Sequence, residues 1–387
     1  MQLSVIILNY NVRYFLELCI TSVQKAIQNI DAEIIVVDNN SSDESSQMMK
    51  TIFPNIKFIQ NSENTGFPKG NNIGVAEAKG DYVCILNPDT VVAEDTFEKV
   101  LFFAKKHNNL GIIGCKLVDG TGNFLPECKR GIPTPWVALT KVLGLYIVFP
   151  KLSIFNKYYY QQLHKNETGK VEILVGAFMV MKRDLYNEIG GFDEDCFMYS
   201  DDIDLSYISL LNGKYNYYFH QTTVIHYKGE STVKDGVYMK RFQDAMKYFY
   251  KKHFNHSLFF LFFMKIGSLS FSLLKVFQGK PKPRVIPTNY ILISDNEELQ
   301  QRLKDKLNKE IAISLLNKDT FELVTGTSNK KNTEVVFDTN YISYKDIIGF
   351  MENNVDHKYT YKMYLPENNF LIGSNSSNDR GETILLV

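Results

Sequence analysis

The chain has no surplus of charge: Lys and Arg together number 43, Asp and Glu also number 43, and the formal net charge is zero. Without a basic excess, nothing argues for a nucleic-acid partner. Cysteine is sparse, at positions 19, 84, 115, 128 and 196, with no CxxC pair and no small-domain disulfide framework. A reduced, cytosolic compartment fits this usage, with the thiols as core filler. There is no internal repeat and no low-complexity tract. The chain opens on MQLSVIILNY with neither a basic n-region nor a long apolar run, so no signal peptide is expected. With 44% hydrophobic and 22% charged residues over 387 positions, disorder is excluded and one large domain plus a smaller one is expected.

What is present is an alternation of buried strands and helices. LSVIILNY (3–10) is continuous, apolar and β-branched, which predicts a fully buried strand. A helical pattern follows to about residue 29, with Phe15, Leu18, Cys19, Val23 and Ile27 on one face. EIIVVDNN (33–40), IKFIQNS (56–62) and DYVCILNPD (81–89) predict three more strands. The cluster closing the first of these serves as turn and helix cap. Strand, helix, strand, helix at this spacing means a parallel sheet, and such sheets bind ligands at the carboxyl ends of their strands. Asn9, Asp38, Asn64, Asn87 and Asp89 crowd those ends. Farther on, VEILVGAFMVMKR (171–183) predicts a strand, and 237–254 a helix rich in Tyr, Phe and Lys.

Residues 257–277, SLFFLFFMKIGSLSFSLLKVF, approach the length of a bilayer span, but Lys265 sits near the centre. A lysine there costs about 2.5–3.5 kcal/mol in hydrocarbon. The flanking Lys251, Lys252, Lys275 and Lys280 suit an anionic membrane surface, so an in-plane or re-entrant helix is favoured over a span. A helix packed on its own domain is an equal alternative. The Pro-rich GKPKPRVIP (279–287) is a linker, and three parts are expected: 1–250, the apolar segment and linker 251–284, and a small Rossmann-like α/β unit 285–387. No GxGxxG follows the first strand of that last unit, so no nucleotide is assigned to it. It reads either as a core-stabilising or oligomerising addition or as a partner-binding module.

Each chemically suggestive residue has an ordinary structural reading beside the functional one. Asp38 at a strand end can accept the imide N–H of uracil or thymine, or simply cap a helix. NTGFPKGNNIG (64–74) can bring backbone N–H groups to a phosphate, or be a glycine-rich turn. Asn87-Pro88-Asp89-Thr90 can hold Mg²⁺ or Mn²⁺ against a diphosphate, or form a type I turn. Asp201, Asp202 and Asp204 can be a general-base cluster with one raised pKa, or a capped surface helix start. His226 can complete a metal site, or be a structural histidine.

Taken in order, VIILNYN, VVDNNSSD, NTGFPKGNNIG, LNPDT, GGFDEDCFMYSDDIDL and IHYKGEST resemble the successive motifs of family-2 glycosyltransferases of GT-A fold. The closest likeness is to the bacterial rhamnosyltransferase-like branch. The resemblance spans about residues 1–250 and leaves the tail after 285 uncovered. It implies a mostly parallel sheet flanked by helices, with Asn9, Asp38, Asn64, Gly66 and Asn71 at the donor nucleoside. Asp89 matches the metal-binding carboxylate of the Asp-x-Asp motif, whose first Asp is Asn87 here. Asp202 matches the base that deprotonates the acceptor, with Asp201 where the family usually has Glu. His226 matches a histidine near metal and diphosphate, and Arg130 of CKRGIPTPW an arginine common in this branch.

The expected protein is thus a metal-dependent, inverting hexosyltransferase. It would move a sugar, rhamnose being one candidate, from a dTDP- or UDP-sugar to a hydroxyl of a glycan or lipid-linked acceptor in surface polysaccharide synthesis. The expected setting is the cytoplasmic face of a bacterial plasma membrane. The alternative from another class is a non-catalytic sugar-nucleotide-binding scaffold at the membrane. A nucleotidyltransferase is disfavoured, because no glycine-rich loop with a basic residue follows LSVIILNY.

Overall fold

A computed structural model describes residues 1–228, 236–254, 286–317, 322–323, 332–375 and 381–386. The segment 257–277 and most of its linker lie outside the described residues.

Strands β1 (Leu3–Asn9), β2 (Ala32–Asp38), β3 (Lys57–Gln60) and β4 (Tyr82–Leu86) alternate with helices α1 (Arg13–Ala26), α2 (Ser45–Ile52) and α3 (Gly66–Ala76). Then come β5 (Thr90–Val91), α4 (Thr96–Lys105), β6 (Leu110–Val118), α5 (Pro135–Val142) and α6 (Leu145–Val148). β7 (Gly169–Val171), β8 (Phe178–Lys182), α7 (Arg183–Glu188), α8 (Asp201–Leu211), β9 (Tyr215–His226) and α9 (Gly236–His253) complete this part. The nine strands form one sheet in the order β3-β2-β1-β4-β8-β6-β9-β5, with β7 paired to β9. Strands β1 to β4, β6 and β9 run one way, and β5, β7 and β8 run against them. This is the mixed, mostly parallel sheet the sequence predicts. Every residue of β1 and β4 is buried, as expected for central strands covered on both faces. Edge strand β3 shows Lys57 and Gln60 to solvent.

Two expectations change. The run 171–183 is not one strand: it bends between Val171 and Phe178, because β7 joins β9 while β8 crosses to pair with β4. The cluster after β2 does not cap α2. That helix starts at Ser45 after a left-handed Glu44 and has no side-chain cap, while Asp43 accepts from the Ser45 hydroxyl at 2.5 Å and from the Arg13 N–H of α1 at 2.7 Å. The polar residues 38–42 are left for other partners.

The C-terminal unit has a six-stranded sheet in the order β11-β10-β14-β15-β16-β17. Its elements are β10 (Asn289–Ile293), α10 (Glu297–Leu307), β11 (Ile311–Ser314), β12 (Leu316–Asn317) and β13 (Glu322–Leu323) as a short antiparallel pair. β14 (Thr333–Asp338), α11 (Tyr344–Asn353), β15 (Thr360–Leu365), β16 (Phe370–Gly373) and β17 (Glu382–Leu385) follow. The α/β pattern read from 290 onward holds.

The two units share a core. Phe15 and Leu18 of α1, with Val91, Val118, Ile225 and Tyr227, pack into one cluster with Phe337, Ile347, Phe350 and Met363. Glu94 caps α11 across the junction, accepting from the Tyr344 and Lys345 N–H groups at 2.8 and 2.9 Å. At Gly122, φ is +81° and an added Cβ would lie 2.4 Å from the Met351 carbonyl oxygen, so only glycine fits there. Among the described residues, no helix is long and apolar enough to cross a membrane.

Candidate active site

The polar residues predicted at strand ends do gather on one edge of the large sheet. At the first corner, the Asn9 amide donates to Asp38 Oδ1 (2.7 Å) and to Ser41 Oγ (3.1 Å). Ser41 holds Asp38 from both sides, its N–H on Oδ2 (2.8 Å) and its hydroxyl on Oδ1 (2.6 Å). Asp38 is therefore fixed, and it is fully buried. Beside it Asn39 ties two loops together. Its amide donates to Asn64 Oδ1 (3.2 Å) and the Gly66 carbonyl (3.1 Å), while its Oδ1 accepts from Asn61 and Thr65. Gly66, with φ +82°, lets the chain turn into α3 directly under Phe197.

At the second corner β5 and β9 pair antiparallel, with Thr90 opposite His226. That register sets Asp89 Oδ1 at 3.4 Å and the Asn87 amide at 3.3 Å from His226 Nε2. The turn reading of Asn-Pro-Asp-Thr also holds, since the Thr90 hydroxyl donates to the Asn87 carbonyl at 2.7 Å. Turn and functional corner are one structure.

At the third corner, Arg130 Nη2 donates to Asp202 Oδ2 (2.6 Å) and to the Leu174 carbonyl (3.0 Å). The Gly176 N–H, in the bend between β7 and β8, reaches the same Oδ2 at 3.2 Å. Both contacts fall on Oδ2, and Oδ1 has no hydrogen-bond partner among the described residues. Asp201 and Asp202 open α8, whose N-terminus favours negative charge. Burial, and then the neighbouring Asp202 carboxylate, push the Asp201 carboxyl up from 3.8 to about 7. Tyr199, just before them, has φ +82°, a strained conformation for a bulky residue. Asp204 does not join this corner. It turns away to His253 Nε2 (2.5 Å) and Lys252 Nζ (2.9 Å) of α9, so the acidic cluster splits into a pair and a structural anchor.

The first two corners share a feature. The amide oxygens of Asn9 and Asn87, like that of Asn71 on α3, are buried with no hydrogen-bond partner among the described residues. Such groups are rare because each costs about 1–3 kcal/mol. They are the kind of group that a bound donor or a cation satisfies. The five cysteines are all free and buried. Burial pushes the Cys19 and Cys128 thiols up to about 12, which fits core filler.

The sequence model of glycosyl transferase family 2 matches residues 4–190, which contain all three corners except α8 and the end of β9. This matched stretch, just under half of the 387 residues, is a glycosyl transferase family 2 region. Over 244 residues the chain is 25% identical to the N-acetylglucosaminyl-diphospho-decaprenol L-rhamnosyltransferase of Mycobacterium tuberculosis, covering 60% of this chain and 78% of that protein. Rhamnosyltransferase WbbL of Escherichia coli is 27% identical over 217 residues, covering 53% and 78%. Among solved structures, S. aureus TarS 1-349 overlays with 18% identity and a TM-score of 0.45, over 73% of this chain and 76% of that one.

For a family-2 glycosyltransferase, the sequence motifs omit several working parts. Ser41 and Asn39, which hold the first corner rigid, lie inside VVDNNSSD but read as turn residues. Gly176 depends on a bend that an apolar run does not announce, and the Phe67–Phe197 contact joins segments far apart in the chain. Asp89, Asp202, Arg130 and His226 were all legible as residues, though the partnership of Arg130 with Asp202 was not.

Proposed function

We propose that the chain is an inverting glycosyltransferase that passes a hexose, rhamnose being the leading candidate, from a dTDP- or UDP-sugar to a hydroxyl of a lipid-linked or polysaccharide acceptor. The observation that carries this reading is the grouping of the Asn9–Asp38, Asn87–Asp89–His226 and Arg130–Asp202 corners on the strand-end side of the large sheet, with unpartnered amide oxygens on Asn9 and Asn87. The two rhamnosyltransferase relatives support the sugar and the class of acceptor.

In this reading Asn9, Asp38, Asn64, Gly66 and Asn71 receive the nucleoside. Asn87 Oδ1, Asp89 and His226 fit a divalent cation, Mg²⁺ or Mn²⁺. A buried amide oxygen without a partner stands there beside a carboxylate and an imidazole, although no three His, Cys, Asp or Glu side chains converge among the described residues. Such a cation, when bound, neutralises the diphosphate as it leaves.

Asp202 takes the acceptor proton on its open Oδ1. Arg130 on Oδ2 holds the carboxylate in place and aimed. Asp201, protonated by burial, prevents a second negative charge from repelling it. The acceptor oxygen then attacks the anomeric carbon from the face opposite the diphosphate, in a single displacement that inverts the centre. The work site is proposed to be the cytoplasmic face of the plasma membrane.

Thermal shift against nucleoside diphosphates and sugar nucleotides, with and without Mn²⁺ or Mg²⁺, tests the donor half. A ligand at 100 times its Kd stabilises the fold by about 2.7 kcal/mol, well within reach of the assay. A metal-dependent shift with dTDP or UDP, lost in Asp89→Ala, is expected. Folded protein that responds to no nucleotide refutes the donor site. Nucleotide binding without transfer or hydrolysis of any donor moves the assignment to the non-catalytic scaffold.

A further inference from the structure

Between Arg130 and β7 the chain makes an excursion that no part of the proposed chemistry uses. It carries α5, α6 and the turn after them, and it displays large apolar side chains to solvent. Ile147 is 67% exposed, Val148 66%, Ile154 54% and Leu152 50%, with Leu143, Phe149 and Trp136 above 40%. These form one patch. Trp136 and Phe149 both lie against Phe155, at ring distances of 6.0 and 5.4 Å, and the Trp136 indole N–H donates to the Ile154 carbonyl at 3.0 Å. Folded surfaces seldom leave so many large apolar side chains together without a partner.

The charge around the patch identifies that partner. From Cys128 to Asn166 the sequence has Lys129, Arg130, Lys141, Lys151, Lys157 and Lys165 but not one Asp or Glu. Lys151 and Lys157 are exposed on the patch and, among the described residues, form no ion pair. Basic side chains predominate around these apolar tips, although Glu172 lines the groove beside Lys157, and the Trp136 polar edge is already satisfied, which is the composition of an interfacial membrane element. A protein partner would more commonly meet charges of both signs. The excursion is anchored rigidly at its root. The Gly131 N–H donates to the Lys157 carbonyl (3.1 Å), Lys129 to the Tyr159 and Tyr160 carbonyls (3.2 and 3.0 Å), and Tyr250 of α9 to the Pro133 carbonyl. That root adjoins Arg130, the residue that holds Asp202.

We propose that residues 136–157 dock the protein on an anionic bilayer, seating Trp136, Ile147, Val148, Phe149 and Leu152 in the headgroup region. The surface is separate from 257–277. It deepens the lipid-linked-acceptor reading and rests on that reading only for its purpose, since vesicle binding is measured without any transfer reaction. Docking by this element brings the membrane to the acceptor side of the edge, beside Asp202.

The chain has a single tryptophan, so its emission reports this patch alone in the full-length protein. Vesicles of phosphatidylcholine mixed with phosphatidylglycerol should move the Trp136 emission to shorter wavelength, and brominated acyl chains should quench it. Phosphatidylcholine alone should do neither. Ile147→Asp with Leu152→Asp should abolish the shift, and Lys151→Glu with Lys157→Glu should weaken vesicle binding by roughly tenfold or more. Transfer to a water-soluble acceptor analogue should survive in both pairs, which shows the variants fold. Vesicle binding with Trp136 emission unmoved would assign the membrane contact to another segment and overturn the proposal. So would a shift that appears without lipid and grows with protein concentration, which would make the patch an interface between two copies.

Discussion

Both sheets of this chain end in polar residues at their carboxyl edges, yet the two edges are finished differently. On the large sheet Asn9 and Asn87, and Asn71 on the helix α3 beside them, keep buried amide oxygens that no described residue satisfies. On the small sheet Asp338, closing β14, is fully engaged: the Ser294 hydroxyl donates to Oδ2 at 2.7 Å and the Asn340 N–H to Oδ1 at 3.0 Å. Thr339 beside it donates to the Tyr364 carbonyl at 2.9 Å, and its own carbonyl accepts from Lys25 of α1 at 2.8 Å. The small sheet spends its strand ends on docking to the large one. The contrast teaches that polarity at a strand end marks a site only where the hydrogen-bonding is left incomplete.

The sharpest way to break this comparison is to change one carboxylate on each edge. Asp202→Asn should lower turnover by about 10²–10⁴ while leaving the nucleotide-induced thermal shift in place. Asp338→Asn should leave turnover where it was. Equal losses in a transfer assay would erase the distinction between the edges.

The next largest effect concerns the junction. Phe15, whose ring lies tilted 4.9 Å from that of Tyr227 in the shared cluster, should cost about 3–5 kcal/mol when replaced by Ala. Calorimetry should show the two units unfolding together in the native protein. Two separate transitions there would mean that the junction is not a shared core.

A smaller and opposite pair of effects separates engaged from unengaged groups. Asp338→Ala should destabilise by about 1–3 kcal/mol, because it strands the Ser294 and Asn340 donors. Asn71→Leu should cost little stability or raise it, and should weaken nucleotide binding. Denaturant midpoints and ligand shifts on the same preparations decide between them.

Last is the pH dependence of Asp201. The folded chain holds this proton up to about pH 7, whereas an unperturbed Asp releases it near 3.8. Between those values the folded state binds the extra proton, so the contribution to stability is lost as pH rises through that window. Asp201→Asn should match the wild type near pH 4 and gain on it steadily up to about pH 7. A stability difference that does not change across that range would refute the protonated pair.

Much of this was legible in the sequence because buried parallel strands write themselves as uninterrupted apolar runs. The ends of β1, β2 and β4 are found where those runs meet Asn9, Asp38 and Asn87. The helix at 237–254, rich in Tyr, Phe and Lys, was likewise visible. Other features depend on residues far apart in the chain. The sequence assigned α1 one apolar face, whereas Leu16, Cys19, Ile20 and Val23 pack on the large sheet and Phe15 and Leu18 on the C-terminal unit. No local pattern reveals a second face whose partner lies some 300 residues on. Asp204 looked equivalent to Asp201 and Asp202, and only the arrival of Lys252 and His253 from α9 separates it from them.

Helix α1 is enclosed almost entirely; of its residues only Gln24 is exposed. A rod gripped on two sides cannot roll by a fraction of a turn without a void opening on one side or a collision on the other. Its first turn is tied to the loop after β2 by the Arg13 N–H on Asp43, and Asn11 just before it accepts from the Ser42 N–H at 2.7 Å. The Asn9–Asp38 corner therefore inherits the stiffness of both units. The C-terminal unit, which touches no reacting atom, then acts as ballast: it supplies the fixed datum from which the rest of the site is measured.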